Sequence, residues 1–572
     1  MNIKLAYLGH SSLSTIGSGQ LLNLAPNLSR EPVAFDAALK QPLRFREAMS
    51  ALHDVVISDL RFQPRDKTAY EEWKKNEHRR VEALRRETHK KAKDDILVRR
   101  AATVPRDLER KYNSLRKKYW GARQKYANYL YWNDIELWRR LMPCDPVITI
   151  ADDVAFFECF SADESSYGCL TLARNDSFGP CDNMQFGTTN VDYSWDLYNH
   201  FQSLRSYRET RFRVDPQGFE VVTTGNPDYR EEKIDLPPTW LMGFMQVQQA
   251  MAVPSTRVTL SREAIYSLLV WLKRNKAKAS PRAIRFELNP GKPPRLVLEP
   301  WGTVIDSLGT TYDGPPTMPI RVWGRQRLLV LARLLPLAER FDVHLLGTGL
   351  PHFWVAQMGE MRLTLGLSGW TTNDWTRGSA LDLILPPAEP SDELLQQLVR
   401  LLKADRAASF ETICRHTTAN PAEVLAGLGQ LAHTGQVIRD LTAGVYRYRQ
   451  IMPQALGEAQ LGPPSPELSA AKNLLRTGNV KITEKKDLDR GAVLLVGKVE
   501  NQKPEVLIDG DGRIKRGKCM CSHYRTYSFR NGPCRHMIAM HRKLLGISEG
   551  GERERKGELL DAWFSGLRGR WS

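Results

Sequence analysis

Along the 572 residues the alternation of apolar and polar positions changes character several times. Residues 61–130 read as two helices joined at Thr103-Val104-Pro105. In the second, Tyr112, Leu115, Tyr119, Ala122, Tyr126 and Tyr129 recur in alternating steps of three and four, which draws one stripe down a helix as in a coiled-coil seam. From about Pro146 the period shortens toward two. Val147-Ile148-Thr149-Ile150 and Val154-Ala155-Phe156-Phe157 flank Asp152-Asp153, the signature of a hairpin, and residues 167–173 add a further β-like run. A helix is expected over residues 194–209. Residues 283–288 and 295–298 bracket Asn289-Pro290-Gly291-Lys292, again strands around a turn. Residues 324–337 read as helical, and 342–346, 353–357 and 361–367 as three more strands. Together these predict an α+β body over residues 141–385, divisible into two subdomains, preceded by an amino-terminal region (1–140) that holds the helical hairpin.

Leu385-Pro386-Pro387-Ala388-Glu389-Pro390 marks a boundary. Beyond it, residues 392–403 are amphipathic through Leu394, Leu395, Leu398, Leu401 and Leu402, and residues 410–416 make a short second helix. Asn420-Pro421-Ala422-Glu423 opens a third, with Asn as N-cap, Pro in the first turn and Glu placed to return a hydrogen bond. That helix runs to about Thr434, and Gly435 suits its end. Residues 437–439 and 445–448 then bracket Thr442-Ala443-Gly444. Three helices followed by a two-stranded hairpin resemble a winged helix, here over residues 391–450. A linker (451–468) carries Pro453, Pro463, Pro464 and Pro466. A last module (469–548) reads as strands at 480–483, 492–499 and 505–508 and a helix beginning at Cys534, followed by a tail (549–572).

Composition narrows the function classes. With 42% hydrophobic and 26% charged residues, the chain is of ordinary globular type and wholesale disorder is excluded. Lys and Arg number 82 against 65 acidic residues, which favours acidic partners: nucleic acid, anionic lipid or an acidic protein face. The excess is concentrated. Residues 61–130 hold 22 basic and 10 acidic groups and residues 471–548 hold 17 and 7, whereas residues 391–450 hold 7 and 6. The amino terminus lacks a secretory pattern and no apolar run reaches the roughly 18 residues of a membrane span, so a cytoplasmic chain is expected. In that reducing setting its eight cysteines suit buried thiols or metal ligation. Cys144, Cys159, Cys169 and Cys181 lie in apolar or β-like runs and are expected as core thiols. Phosphate-loop, nucleophile-elbow and H-E-x-x-H motifs are all missing, and no enzymatic activity is expected.

The informative chemistry is near the carboxyl end. Gly517-Lys518-Cys519-Met520-Cys521 is followed after twelve residues by Cys534-Arg535-His536. Three thiolates and an imidazole are the ligand set of a closed tetrahedral zinc site with no position left for water, hence one structural zinc and no catalytic residues. Each Cys-x-Cys or Cys-x-His pair is expected on an extended turn, with alternate side chains pointing inward. His523 and His541 are alternative imidazoles to His536. The spacing C-x-C-x12-C-x-H, with the strands before it and the helix after it, resembles the SWIM zinc finger. The resemblance implies zinc at Cys519, Cys521, Cys534 and His536, and a role in binding nucleic acid or protein. The whole chain is also similar to bacterial SWIM proteins associated with MoxR-type AAA+ ATPases and von Willebrand A-domain proteins, with Leu345-Leu346-Gly347-Thr348-Gly349-Leu350-Pro351 and Leu365-Gly366-Leu367-Ser368-Gly369-Trp370 carrying that likeness. It implies a scaffold or adaptor role in a multi-protein assembly.

Two interaction chemistries follow. The third helix of the winged-helix-like segment, residues 421–434, has no Lys or Arg and one amide side chain, Gln430, a poor complement for DNA. That module is therefore expected to contact protein. Around the zinc ligands, Lys515, Arg516, Lys518, Arg525 and Arg530 surround Tyr524 and Tyr527, a mixture suited to anions and to stacking on bases. The leading expectation is a zinc-containing adaptor; the alternative is a DNA- or RNA-binding protein that uses this face and the amino-terminal helices.

Overall fold

A computed structural model describes residues 5–8, 11–58, 146–214, 230–276, 282–369, 390–451, 466–508, 514–527 and 532–544, apart from breaks of at most four residues, together with Leu115, Lys118, Tyr129, Asn133 and Trp375. The chain divides into two units, Leu60–Met142 and all the rest. The expected basic hairpin falls on the first. Its four described residues are helical, with the Asn133 amide donating to the Tyr129 carbonyl at 2.6 Å; the remainder of that expectation, and the 549–572 tail, lie outside the described residues.

The second unit mixes helices with several sheets. Its centre is an eight-stranded antiparallel sheet. The strands are β1 (Val147–Ile150), β2 (Val154–Phe160), β3 (Ser166–Ala173), β4 (Gly187–Asn190), β5 (Thr256–Ser261), β6 (Arg340–Leu345), β7 (His352–Met358) and β8 (Met361–Leu367), in the spatial order β5-β6-β7-β8-β3-β2-β1-β4. Every residue of β2 and β7 is buried, so the sheet is covered on both faces, which is why these strands read as continuous apolar runs. Helix α1 (Pro42–Val56) covers one face, where Phe45 meets Phe157 edge-on at 5.9 Å. Helix α2 (Pro238–Ala252) covers the other, with Phe244 against Phe160 at 4.8 Å. The hairpin expected around Asp152-Asp153 is present in register.

The described residues between 12 and 39 also belong to this core. Strands Ser12–Ile16, Gly19–Leu24 and Ala34–Leu39 join Thr210–Val214 and Phe178–Gln185 in a five-stranded sheet, whose single parallel pairing sets 19–24 beside 210–214. Phe35, Phe178, Phe212 and Phe45 pack edge-to-face between that sheet and α1. The hairpin around Asn289–Lys292 forms as expected, with Gly291 at φ 72°, and two further strands extend it to a four-stranded sheet.

Two helix expectations are refined. The helix read over 324–337 is present as a 3-10 helix, Arg325–Leu334. Its buried residues are Arg325, Leu328, Leu331 and Leu334, a spacing of three that suits three residues per turn. The helix expected to reach residue 209 has its last described helical residue at Phe201. Beyond it the Gln202 and Leu204 carbonyls accept from the Arg205 guanidinium, at 2.5 and 2.9 Å, and the Ser203 carbonyl accepts from the Gln20 amide.

After the Pro-rich boundary come α3 (Asp392–Asp405), α4 (Phe410–Arg415) and α5 (Pro421–His433), with β9 (Ala407–Ser409), β10 (Val437–Asp440) and β11 (Val445–Tyr448) in a small sheet ordered β9-β11-β10. Ser391, Ser409 and Asn420 cap the three helices, and Asn420 with Glu423 forms the expected capping box. Nine of the thirteen residues of α5 are buried, because α3 lies on one side and α2 on another. This small subassembly is fastened to the central sheet. The Tyr446 hydroxyl donates to the Ala252 carbonyl at 2.7 Å, Arg447 reaches Asp153 at 2.7 and 2.8 Å, and Arg449 pairs with Glu158, both side chains being almost wholly enclosed. Glu158 also accepts from the Tyr167 hydroxyl at 2.6 Å.

Removing one member of a buried pair leaves the other charged and unsolvated, at a cost of about 3–5 kcal/mol, whereas neutralising both can be nearly harmless. Arg449→Met should therefore lower the unfolding free energy by about that amount in urea titrations, and adding Glu158→Gln should restore most of it. Acid sensitivity follows from two imidazoles. Burial, with help from Arg439 and Arg257, lowers His344 to about 3. Burial also lowers His352 to about 4, and its ring is pinned neutral by accepting from the Trp354 indole at 2.8 Å while Nε2 faces the Trp323 carbonyl at 2.9 Å. Both values lie below the unfolded one of about 6.5, so the stability these rings contribute is complete above that pH and is lost as pH falls toward the folded values. Unfolding at pH 5 should be easier than at pH 7 by on the order of 3–4 kcal/mol; equal stability at the two would contradict this.

Candidate metal centre

The carboxyl-terminal module begins with α6 (Pro466–Arg476), followed by β12 (Val480–Asp487), β13 (Val493–Val499), β14 (Glu505–Ile508) and β15 (Ile514–Lys518), a four-stranded antiparallel meander. Two short helices close it, α7 (Ser522–Tyr527) and α8 (Arg535–Leu544). Val493, Leu495 and Val499 from β13 and Val506 and Ile508 from β14 turn one sheet face toward Met537, Ile538 and Met540 of α8, giving the module its own core. The approach is close. A side chain at Gly497 would meet the Met540 sulfur at 2.8 Å, and one at Gly517 would meet the Met537 sulfur at 2.8 Å. Glycine at these two positions lets α8 settle onto the sheet, and α8 carries one ligand, His536, and has another, Cys534, at its start.

Cys519 and Cys521 leave the end of β15, while Cys534 stands immediately before α8 and His536 lies in its first turn. The four ligand atoms lie within 4.8 Å of one another. Cys519, Cys534 and His536 are buried and Cys521 is half-buried. Cys519 Sγ stands 3.7 Å from His536 Nδ1. A tetrahedral zinc with ordinary bond lengths would set sulfur and nitrogen about 3.6 Å apart and two sulfurs about 3.8 Å apart, so this cluster can hold one metal ion, consistent with zinc, after small side-chain movements. Four protein ligands fill a tetrahedral shell, which suits a structural metal. Its chemistry there would be to bind the two ligand pairs together.

One local expectation is corrected. The first pair lies on an irregular stretch after the strand, but Cys534-Arg535-His536 is not an extended turn. Cys534 precedes the helix and its carbonyl accepts from the amides of Met537 and Ile538 at 3.0 and 3.1 Å. The i and i+2 side chains converge because one flanks the helix and the other belongs to it.

The thiols compete for protons. Hydrogen bonding from Cys534, opposed by burial and aided by His536, draws Cys519 down to about 4. The same contact with Cys519, reinforced by burial, pushes Cys534 far up. A bound cation would relieve that competition by letting all three sulfurs ionise. Further residues hold the shell in place. The Cys521 sulfur accepts from the Tyr524 amide at 3.4 Å, and the Tyr524 hydroxyl donates to the Gly517 carbonyl at 2.7 Å. Glu467, at the start of α6, grips Arg535 through backbone and guanidinium at 2.7 Å each, fixing the residue between Cys534 and His536. Glu500, at the β13–β14 turn, places a carboxylate oxygen 3.6 Å from His536 Nε2. Neither glutamate is marked by any motif, since each is brought in by topology from more than thirty residues away.

The contact residues read from the sequence fall in different places. Arg516 and Lys518 are exposed on β15, and Arg525 and Tyr527 are exposed on α7. Tyr524 is half-buried in the module core. Lys515 belongs to β15 with its side chain outside the description, and Arg530 lies outside the described residues. Of the cysteines expected in the body, Cys159 and Cys169 are buried, Cys181 is half-buried and Cys144 lies outside the described residues. His541 is buried on the last turn of α8 and does not join the cluster; nor does His523.

No protein-family model matches the chain, and no curated protein matches it. Among solved structures, the chain is similar to the proliferating cellular nuclear antigen of Entamoeba histolytica over 40% of its own length and 89% of that protein's, at 12% identity and a TM-score of 0.28. A likeness that slight places neither fold nor function.

Purified protein loaded with cobalt(II) should show the d–d absorption of a tetrahedral thiolate-rich site, and Cys534→Ser should abolish it. Chelation should unfold the carboxyl-terminal module, read by loss of amide protection in β12–β15 and α8, while the central sheet stays protected. Unchanged protection in β12–β15 after complete metal removal would contradict a structural role.

Proposed function

We propose that this chain is a non-enzymatic, zinc-binding interaction protein that serves as a scaffold or adaptor in a larger assembly. The observation that carries the reading is the closed Cys519, Cys521, Cys534, His536 cluster: a site built wholly from protein ligands organises surface and leaves no open position for a reacting group. In this reading the module is a SWIM zinc finger holding one structural zinc, and residues 391–450 are a winged-helix-like module. Enclosure of α5 between α3 and α2 supports a scaffolding use of that module, because a helix buried on most of its circumference is withheld from a DNA groove.

The docking face in this reading is the side of the meander away from α8. Leu494 and Val496 of β13 and Leu507 of β14 are half-buried there, ringed by exposed Lys481, Lys486, Lys498, Arg516 and Lys518, with Glu484 and Glu505 the acidic residues among them. An aliphatic strip with a cationic rim complements an acidic, amphipathic segment of a partner protein. The resemblance noted above names the partner class, a MoxR-type AAA+ ATPase with a von Willebrand A-domain protein, in the cytoplasm. No described helix is long and apolar enough to cross a membrane.

Exposure of Arg516, Lys518, Arg525 and Tyr527 together favours a second reading, direct binding of DNA or RNA through the basic face. The two separate cleanly. The adaptor reading expects reconstituted complexes with the ATPase and A-domain proteins to survive nuclease and to be lost in Arg516→Glu/Lys518→Glu. Anisotropy with a fluorescent single-stranded oligonucleotide should show only weak association at physiological salt. Tight oligonucleotide binding that falls steeply with salt and vanishes in the same variant would overturn it in favour of nucleic acid.

A further inference from the structure

We propose that Glu500 is the positioning residue of the metal centre: its carboxylate receives the Nε2–H of His536 and thereby presents Nδ1 to the metal. This rests on the zinc reading of the cluster and adds to it a residue outside the Cys/His set. A neutral imidazole can offer only one ring nitrogen to a cation; the other carries the proton, and whichever acceptor faces that proton selects the tautomer. Here the two nitrogens face different chemistry. Nδ1 lies 3.7 Å from the Cys519 sulfur, inside the ligand cluster, and Nε2 points out toward Glu500 Oε2 at 3.6 Å. The imidazole is almost fully enclosed, while the glutamate side chain is half exposed and free to close the remaining distance to an ordinary hydrogen bond by rotamer adjustment.

The backbone supplies a second, independent observation. Glu500 stands in the two-residue turn between β13 and β14, where Val499 and Gln502 exchange both backbone hydrogen bonds at 3.0 Å. Its φ is 51°, in the left-handed region where glycine or asparagine is favoured and a longer side chain is disfavoured. The Glu500 amide donates to the Asn479 carbonyl at 3.1 Å, which ties the turn to the connection between α6 and β12. A glutamate in a glycine-type position is poor turn chemistry, and the carboxylate it delivers to His536 is the gain that accounts for it. Glu467, the other glutamate at the shell, is already committed to Arg535 on three contacts, so it does not serve the imidazole.

The strain makes the test discriminating, because Glu500→Gly suits the turn while deleting the carboxylate, and Glu500→Gln keeps the length while deleting the charge. Both variants of the full chain are compared with wild type for zinc affinity by chelator competition. The His536 tautomer is read by long-range ¹H–¹⁵N correlation on zinc-loaded protein. The proposal expects wild type to coordinate through Nδ1 with the proton on Nε2, and both variants to bind zinc roughly 10–100-fold more weakly, the usual range for loss of an outer-shell partner. Equal affinities within twofold in both variants, or coordination through Nε2, would overturn the proposal and leave the zinc site standing. Wild-type protein that takes up no zinc would overturn both.

Discussion

Three cysteine sulfurs and an imidazole drawn within 4.8 Å of one another are the constraint on which the carboxyl-terminal module depends. Thiolates at that separation repel, and protonated thiols waste the site; the opposed displacements of Cys519 and Cys534 express that conflict. A divalent cation bound there would resolve it; apparent zinc-binding free energies in small modules are about 10–16 kcal/mol. The ligand pairs come from the end of a strand and the start of a helix. A metal joining them would fix α8 against the sheet, and with it Met537 and Met540 over Gly517 and Gly497.

The larger unit is held by other means. Its central sheet is covered on both faces, and the three-helix subassembly is clamped to it by Arg447 on Asp153 and by the enclosed Arg449–Glu158 pair. Such pairs are weak sources of net stability and strong sources of geometry, because any slippage exposes an unpaired charge to an apolar interior.

Legibility in the sequence followed locality. The hairpins at Asp152-Asp153 and Asn289–Lys292, the capping box at Asn420 and the four clustered ligands were readable because each is written in a few neighbouring residues. The helix at 325–334 was legible but its type was not, because leucines at 328, 331 and 334 also satisfy half of an α-helical pattern; only the strict step of three tells the two apart. The helix after Cys534 was legible, but the local geometry of the second ligand pair was not, since Cys-x-His alternation mimics an extended turn although the helix starts between the two. The strands Gly19–Leu24 and Ala34–Leu39, which pair with residues more than a hundred positions later, carry no local sign of those partners. Glu467 and Glu500 were invisible on the same ground, for ordinary surface glutamates acquire meaning only when the sheet and α6 bring them to the shell.

Zinc K-edge X-ray absorption on the purified full chain tests the central claim most directly. A shell of three sulfurs at about 2.3 Å and one nitrogen at about 2.0 Å, at one metal per chain, is the predicted result. An oxygen-dominated shell, or protein without stoichiometric metal, would contradict it.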